Sequence, residues 1–372
     1  MAVRASDHDG GSVALEQIET ICIVWFGLVG DTLLRVPTLE RLKRTCPGAH
    51  ITVLVDRGRS PLLRHHPDVD RILEMASRRR PNLVAWFRAW RIMRWLKHQR
   101  FDLMINFYGG GKSLHVMKEA QARYRLGFAS PRPSIRQWIE QHHVYTHQAE
   151  HPRNCPHWGQ GFTHILAPLG IEPALEAPSP RFYFRSAQQS GVVKSLVDSL
   201  SNRPFALFNI GAGHSRKIWA ASRFAQLGDW LSRTHGYRVL LISNPKQEAL
   251  ARQAYTQMDN RSHAMILPPL SFENLAEIMT LAKFIVTGDT GPMHLAFAVE
   301  CPALVIFTHT PPEYVIPDDA ITEFCFKPDP DKVRDGIHFG LNDIGIEDAK
   351  VQAQRLIERL DSATAGNPRV LT

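Results

Sequence analysis

Apolar and polar positions follow two periods along nearly the whole chain. Short, almost unbroken apolar runs occur at 21–26, 51–55, 71–74 and 103–107, and again at 205–210, 238–243, 264–267, 284–287 and 303–307. Between them lie stretches with apolar residues at helical spacing: 31–45, 60–66, 82–98 and 112–121, then 219–234, 245–258, 271–281 and 292–299. Apolar runs of that length suit strands buried on both faces. Strand–helix–strand alternation with short connections builds parallel sheets covered by helices. Pro173, Pro178 and Pro180 cluster without apolar periodicity around 172–186 and mark a break. The pattern therefore predicts an α/β chain with two doubly wound parallel-sheet domains, at 18–180 and 187–345. A helix at 346–362 is expected to pack back across both, with loose tails at 1–17 and 363–372. Ligands of such sheets bind outside the strand C-termini, so the cleft between the domains is the expected site.

Composition adds little to that outline until charge is placed along it. The chain has 372 residues, 44% hydrophobic and 22% charged, as in an ordinary soluble protein. Five scattered cysteines without C-x-x-C spacing point to a reducing compartment. Residues 1–17 carry Asp7, Asp9 and Glu16 and no apolar core, so no secretory leader is expected and the protein reads as cytoplasmic. The net charge of +8 is local. Eight basic residues and no acid lie between Arg78 and Arg100, and removing those eight from the 44 basic residues leaves 36, equal to the acidic count. As a helix this segment places Leu83, Trp86, Phe87, Trp90 and Met93 on one face and Arg88, Arg91 and Arg94 on the other. Two readings stay open: a solvated basic face, or peripheral docking on an anionic membrane or acidic substrate. No nucleic-acid motif accompanies the charge, so nucleic acid is not an expected partner.

Chemistry concentrates where apolar runs stop. After the first run comes Gly27-Leu28-Val29-Gly30-Asp31-Thr32, a turn where glycine lets the backbone approach a ligand. Asp31 is either a helix cap or a carboxylate placed to take a proton from an incoming hydroxyl. The helix that follows is expected to kink at Pro37. The run at 205–210 ends in Asn209-Ile210-Gly211-Ala212-Gly213-His214-Ser215-Arg216-Lys217, a Gly-rich loop with two adjacent cations suited to a diphosphate. Lys217 is a compact charge for a leaving phosphate, and Arg216 either joins it or is solvated. The run at 284–287 ends in Gly288-Asp289-Thr290-Gly291-Pro292-Met293-His294. Proline just inside a helix start leaves the Thr290 and Gly291 amides as a phosphate site. His294 is either a satisfied core histidine or part of that site.

Gly30-Asp31 with Pro37 and Leu39, the Gly211-to-Trp219 loop and Asp289-Thr290-Gly291-Pro292-Met293-His294 together resemble the ADP-heptose:lipopolysaccharide heptosyltransferase family, over roughly residues 20–360. The resemblance implies GT-B architecture, with two Rossmann-like domains facing a cleft, an N-terminal one for the acceptor and a C-terminal one for the nucleotide sugar. It implies a metal-independent, inverting transfer of heptose from ADP-heptose to a lipopolysaccharide core acceptor at the inner membrane, with no cofactor. Asp31 becomes the general base and Lys217 a contact of the donor phosphates. Gly211, Gly213, Arg216, Asp289, Thr290, Gly291 and His294 become donor-binding residues, with Glu248 on the nucleotide ribose. Gly30 and Lys112 would border the acceptor. The chain departs from the family at 25–29, where a lysine and two serines are usual, and at Phe307-Thr308-His309-Thr310 in place of F-G-P-T.

Two further signals compete. Asn106 to Ser113 nearly matches the phosphate loop G-x-x-x-x-G-K-S, but begins with Asn106 and has no convincing second magnesium-binding acid after it. His147, His151, Cys155 and His157 invite a metal, yet their spacing is irregular and Pro152 and Pro156 break any helix. The rival functions are a same-fold transferase with another sugar or acceptor, such as a protein, and a non-catalytic module bound to anionic membranes.

Overall fold

The computed structural model describes residues 13–75, 83–130, 134–152, 155–185, 191–200, 203–214, 217–308, 310–327, 333–334, 337–338 and 344–366. The chain divides into two compact units, Met1–Glu176 and Ala177–Thr372.

In the first unit, β1 (Thr20–Trp25), β2 (His50–Asp56), β3 (Arg71–Met75), β4 (Arg100–Asn106), β5 (Gln121–Phe128) and β6 (His147–Ala149) form one sheet ordered β3-β2-β1-β4-β5-β6. Every pairing in it is parallel. The helices are α1 (Val29–Leu34), α2 (Val36–Thr45), α3 (Leu83–His98), α4 (Gly111–Glu119), α5 (Ile135–Val144) and α6 (Trp158–Thr163). Side chains alternate across a strand, so β1 feeds two cores. Ile21, Ile23 and Trp25 join one cluster, while Cys22 and Val24 join another on the opposite face.

The second unit repeats the plan. It runs α7 (Gly191–Ser199), β7 (Phe205–Asn209), α8 (Ala221–His235), β8 (Arg238–Ile242), α9 (Glu248–Gln257) and β9 (Ala264–Ile266). It continues through α10 (Phe272–Leu281), β10 (Phe284–Gly288), α11 (Gly291–Ala298), β11 (Ala303–Phe307) and β12 (Thr322–Phe326). Its sheet is ordered β12-β11-β10-β7-β8-β9, again all parallel. A small antiparallel pair, β13 (Val333–Arg334) and β14 (Ile337–His338), precedes α12 (Ile346–Gly366). Helix α12 packs on α8, β11 and β12 of its own unit and lends Ala349, Ala353, Leu356 and Ile357 to that core.

Strand order reverses between β1 and β4 in one sheet and between β7 and β10 in the other, so each unit has a switch point where a crevice opens beyond the strand ends. The long apolar runs became strands as expected, and the misses have local causes. Strand β5 alternates Arg123 and Arg125 with apolar residues and β12 is a half-exposed edge, so neither reads as an apolar run. The helix expected at 60–66 is only a 3₁₀ turn at Ser60–Leu62, with Pro61 inside it and Pro67 beyond. The helix at 31–45 is broken rather than kinked: α1 ends before Arg35, and Pro37 sits in the first turn of α2, where no N–H is needed.

Candidate active site

At the switch point of the first unit, Gly27 follows β1 with φ of 150°. A Cβ there would lie 2.9 Å from Asp31 Oδ2, so both the backbone angle and the space call for glycine. The Gly27 N–H donates to Asp56 Oδ2 at 3.0 Å, tying the turn to the end of β2. Asp31 is half-buried in α1, and its Oδ2 accepts the Leu28 N–H at 3.0 Å. That satisfies one orphan amide of the helix start. Among the described residues Oδ1 has no hydrogen-bond partner, so the capping and proton-accepting readings of Asp31 are compatible. Arg35 is buried beneath, its guanidinium 5.2 Å from the Phe107 ring and 4.8 Å from the Phe162 ring, and it donates to the Phe26 carbonyl at 2.6 Å. Burial draws its pKa down to about 10, while Asp31 and Asp56 work to hold it up. Lys112 Nζ lies 3.3 Å from Asp56 Oδ1 and 4.0 Å from the centre of the Phe26 ring. One corner thus holds two carboxylates and two cations.

At the switch point of the second unit, Asn209 closes β7. Its buried amide donates to Thr287 Oγ1 and Thr290 Oγ1, each at 2.9 Å, and to the Gly211 carbonyl at 3.2 Å. Those bonds pin the Gly-rich loop to the start of α11. A Cβ on Gly211 would come within 2.2 Å of Gln247 Oε1, and Gln247 in turn donates to the Ala212 carbonyl at 2.6 Å. Gly213 has open space around its Cα, so packing does not require it. Gly288 lets the Lys217 carbonyl pass, 3.0 Å from where a Cβ would stand. Asp289 is buried, and its Oδ2 accepts from Lys217 Nζ and Thr310 Oγ1, each at 2.5 Å; Oδ1 is 3.9 Å from His294 Nε2. Burial pushes the Asp289 carboxyl up, but Lys217, His294 and Thr310 together bring it below the usual aspartate range. Helix α11 begins at Gly291, capped by Thr290 in extended conformation, with Pro292 in its first turn. Helix starts leave amides without intrahelical partners and favour anions. The arrangement is a buried carboxylate holding a lysine beside a helix N-terminus, which suits a bound phosphate group.

Known proteins share this sequence pattern and fold. The model of glycosyltransferase family 9 (heptosyltransferase) matches residues 89–326. The chain belongs to that family. Lipopolysaccharide heptosyltransferase 1 of Pseudomonas aeruginosa is 27% identical over 300 residues, covering 79% of this chain and 80% of the relative. Lipopolysaccharide heptosyltransferase 3 of Escherichia coli is 20% identical over 298 residues, covering 76% of this chain and 81% of the relative. Among solved structures, a family 9 glycosyltransferase from Veillonella parvula superposes with a TM-score of 0.78 at 19% identity, over 94% of this chain and 99% of that one. The E. coli ADP-heptose lps heptosyltransferase II gives 0.73 at 18%, over 92% and 99%. The two Rossmann-like units are thus those of the GT-B class.

Within this family 9 transferase the remaining candidates are placed as follows. Gly30 lies inside α1, beside Asp31. Glu248 opens α9 and is exposed, where Arg252 donates to its Oε1 at 2.6 Å. Arg216 lies outside the described residues. The 106–113 loop is no nucleotide cradle by its hydrogen bonds. Asn106 is buried and donates to Ser113 Oγ at 3.1 Å and Tyr145 Oη at 2.8 Å, and Ser113 donates to the Gly110 carbonyl at 2.8 Å. The hydroxyl that would meet magnesium is turned inward. The four residues of the histidine–cysteine cluster serve separate local roles. His147 meets Tyr124 edge-on, His151 lies against Phe128, Cys155 bonds Gln160, and His157 Nδ1 accepts the Gln160 N–H at the start of α6. Among the described residues no three His, Cys, Asp or Glu side chains group as a metal would require.

Arg35, Asp56, Asn209, Thr287 and Thr310 join these corners without having been singled out from sequence. Asp56 and Asn209 share one signal: each is a polar residue closing a buried apolar strand, where a parallel sheet presents its ligand edge. Arg35 gives no such signal, because its helical position looks like any surface arginine.

Proposed function

We propose that this enzyme moves a heptose from ADP-heptose onto an inner-core sugar of lipopolysaccharide, with inversion and without a metal, in the cytoplasm at the inner membrane face. The Asp289 network carries the reading. Asp289 takes one of the three N–H donors of Lys217 and fixes the ammonium, leaving two for phosphate oxygens. The first-turn amides of α11 add fixed partial charge beside it. Fixed donors on developing negative charge contribute roughly 10² to 10³ each in rate. In the transfer, Asp31 Oδ1 takes the acceptor hydroxyl proton as the new C–O bond forms at the anomeric carbon. The bond to the diphosphate breaks and ADP leaves against Lys217. General-base help of that kind contributes roughly 10² to 10⁴. Two solved structures of a neighbour support the choice of donor: E. coli heptosyltransferase WaaC has been solved with ADP, at a TM-score of 0.69, and with ADP-2-deoxy-2-fluoro heptose, at 0.64.

The test is the mass and anomeric configuration of the product formed from purified enzyme, ADP-heptose and core lipid lacking heptose. A mass gain of one heptose with inverted configuration is expected, with or without EDTA. Melting curves with a panel of nucleotide sugars check the donor, since a ligand of the folded state raises the midpoint. If another nucleotide sugar alone raises it, or if EDTA stops turnover and Mg²⁺ restores it, the donor or the metal-free mechanism is wrong.

A further inference from the structure

Helix α3 turns its largest side chains away from the protein. Leu83 is 86% exposed, and exposure falls along the helix through Val84, Trp86 and Phe87 to 43% at Trp90. Of the apolar stripe read from sequence, Leu83, Trp86, Phe87 and Trp90 are exposed and Met93 packs against the core. Small Ala85 and Ala89, then Ile92 and Leu96, face the sheet instead and draw the helix close to it. Phe87 stacks on Trp90 with ring centres 5.6 Å apart, and the Arg94 guanidinium sits 5.4 Å from the Trp90 ring. Exposed Arg88 and Arg91 flank the same turns. Contiguous aromatic surface on this scale is uncommon on a protein that meets only water.

We propose that the N-terminal turns of α3 lie in the headgroup layer of an anionic phospholipid bilayer. Charge complementarity names the occupant: between Leu83 and Arg100 the chain has five basic residues and no acid. Tryptophan side chains favour that layer, and amphipathic helices with arginine flanks lie in its plane. The gradient of exposure makes the Leu83 end the deeper one. A protein partner would need a shaped pocket for each aromatic ring, whereas lipid accepts them in any packing. No described helix is long and apolar enough to cross a membrane, so the contact is lateral. The proposal stands apart from the sugar chemistry, since none of these residues belongs to either strand-end corner.

Full-length protein is mixed with vesicles of phosphatidylcholine alone or with phosphatidylglycerol added, and sedimented. Binding is expected only to the anionic vesicles, with a blue shift in tryptophan emission. Arg88→Gln/Arg91→Gln should weaken it about twenty-five-fold, at about fivefold per charge. Trp86→Ala/Phe87→Ala should weaken it about tenfold or more. Both variants should keep the wild-type melting point and wild-type turnover on a lipid-free core oligosaccharide, which separates this surface from the proposed reaction. Absence of wild-type binding to anionic vesicles overturns the proposal, as does equal binding by both variants. Self-association that the aromatic variant abolishes, with no vesicle binding, would assign the face to a second copy and overturn it too.

Discussion

At the end of β10, Asp289 is 6% exposed and surrounded by Lys217, Thr310 and His294; in the corner beyond β1, Asp31 is half-buried and holds a single backbone N–H. Both side chains stand at a sheet's switch point, yet one is clothed and the other has an oxygen to offer. A buried carboxylate with two donors on Oδ2 and His294 beside Oδ1 is a fixed part, suited to orienting a cation. A half-open carboxylate suits a proton transfer that must begin only when a hydroxyl arrives. Position in the fold does not by itself set what an aspartate can do; its burial and its partners do.

Substitution of each residue in turn tests the difference. Asp31→Asn keeps an oxygen for the Leu28 N–H but cannot take a proton, so kcat should fall by roughly 10² to 10⁴ with little change in the melting point. Wild-type turnover in a folded Asp31→Asn protein would remove the base assignment. Lys217→Ala should lower kcat by roughly 10² to 10³ and also destabilise the second unit by about 1–3 kcal/mol, because Asp289 loses a donor while still buried. Stability lost without any loss of turnover would make Lys217 a structural partner only.

Gly27→Ala sharpens the same contrast without touching a charge. The added Cβ would press on Asp31 Oδ2, and the backbone angle there resists any side chain. A displacement of the carboxylate by about 1 Å can cost about 10² in rate. The expected result is a fall in kcat with donor KM unchanged; a change confined to donor KM would tie Gly27 to the wrong substrate.

Much of this is legible in the sequence. Parallel strands announce themselves through apolar runs such as 21–26 and 284–287, because burial on both faces removes every polar residue from them. The glycines and charges that interrupt those runs marked Asp31, Lys217 and Asp289. What was hidden depends on neighbours distant in sequence. Arg35 is buried only because Phe107 and Phe162 come to meet it, and Thr310 matters only because it reaches Asp289. The outward turn of α3 was hidden for a different reason. A hydrophobic stripe predicts a face, but two alanines on the other side decided which face the sheet would take.

The smallest effect separates the units by pH and leaves chemistry alone. His66, in the first unit, is buried, with Nδ1 accepting the Asp68 N–H at 3.1 Å and Glu40 4.0 Å from Nε2. Burial pushes its pKa down from 6.5 to about 4. The unfolded chain therefore takes up a proton before the folded one does, so stability rises with pH. The contribution is complete above about 6.5 and is lost as pH falls toward 4, by about 3 kcal/mol at full extent. Asp289 has the opposite origin but the same sign: its lowered pKa gives stability that is present above the ordinary aspartate range and lost only below it. Between pH 6.5 and 4.5, hydrogen exchange should thus loosen residues 50–75 while 284–298 stays protected. In His66→Asn, whose amide oxygen can still accept the Asp68 N–H, the first unit should lose most of that pH dependence. If both regions loosen together in the wild type and the variant alike, burial of His66 does not govern the acid response, and the two units share one cooperative transition.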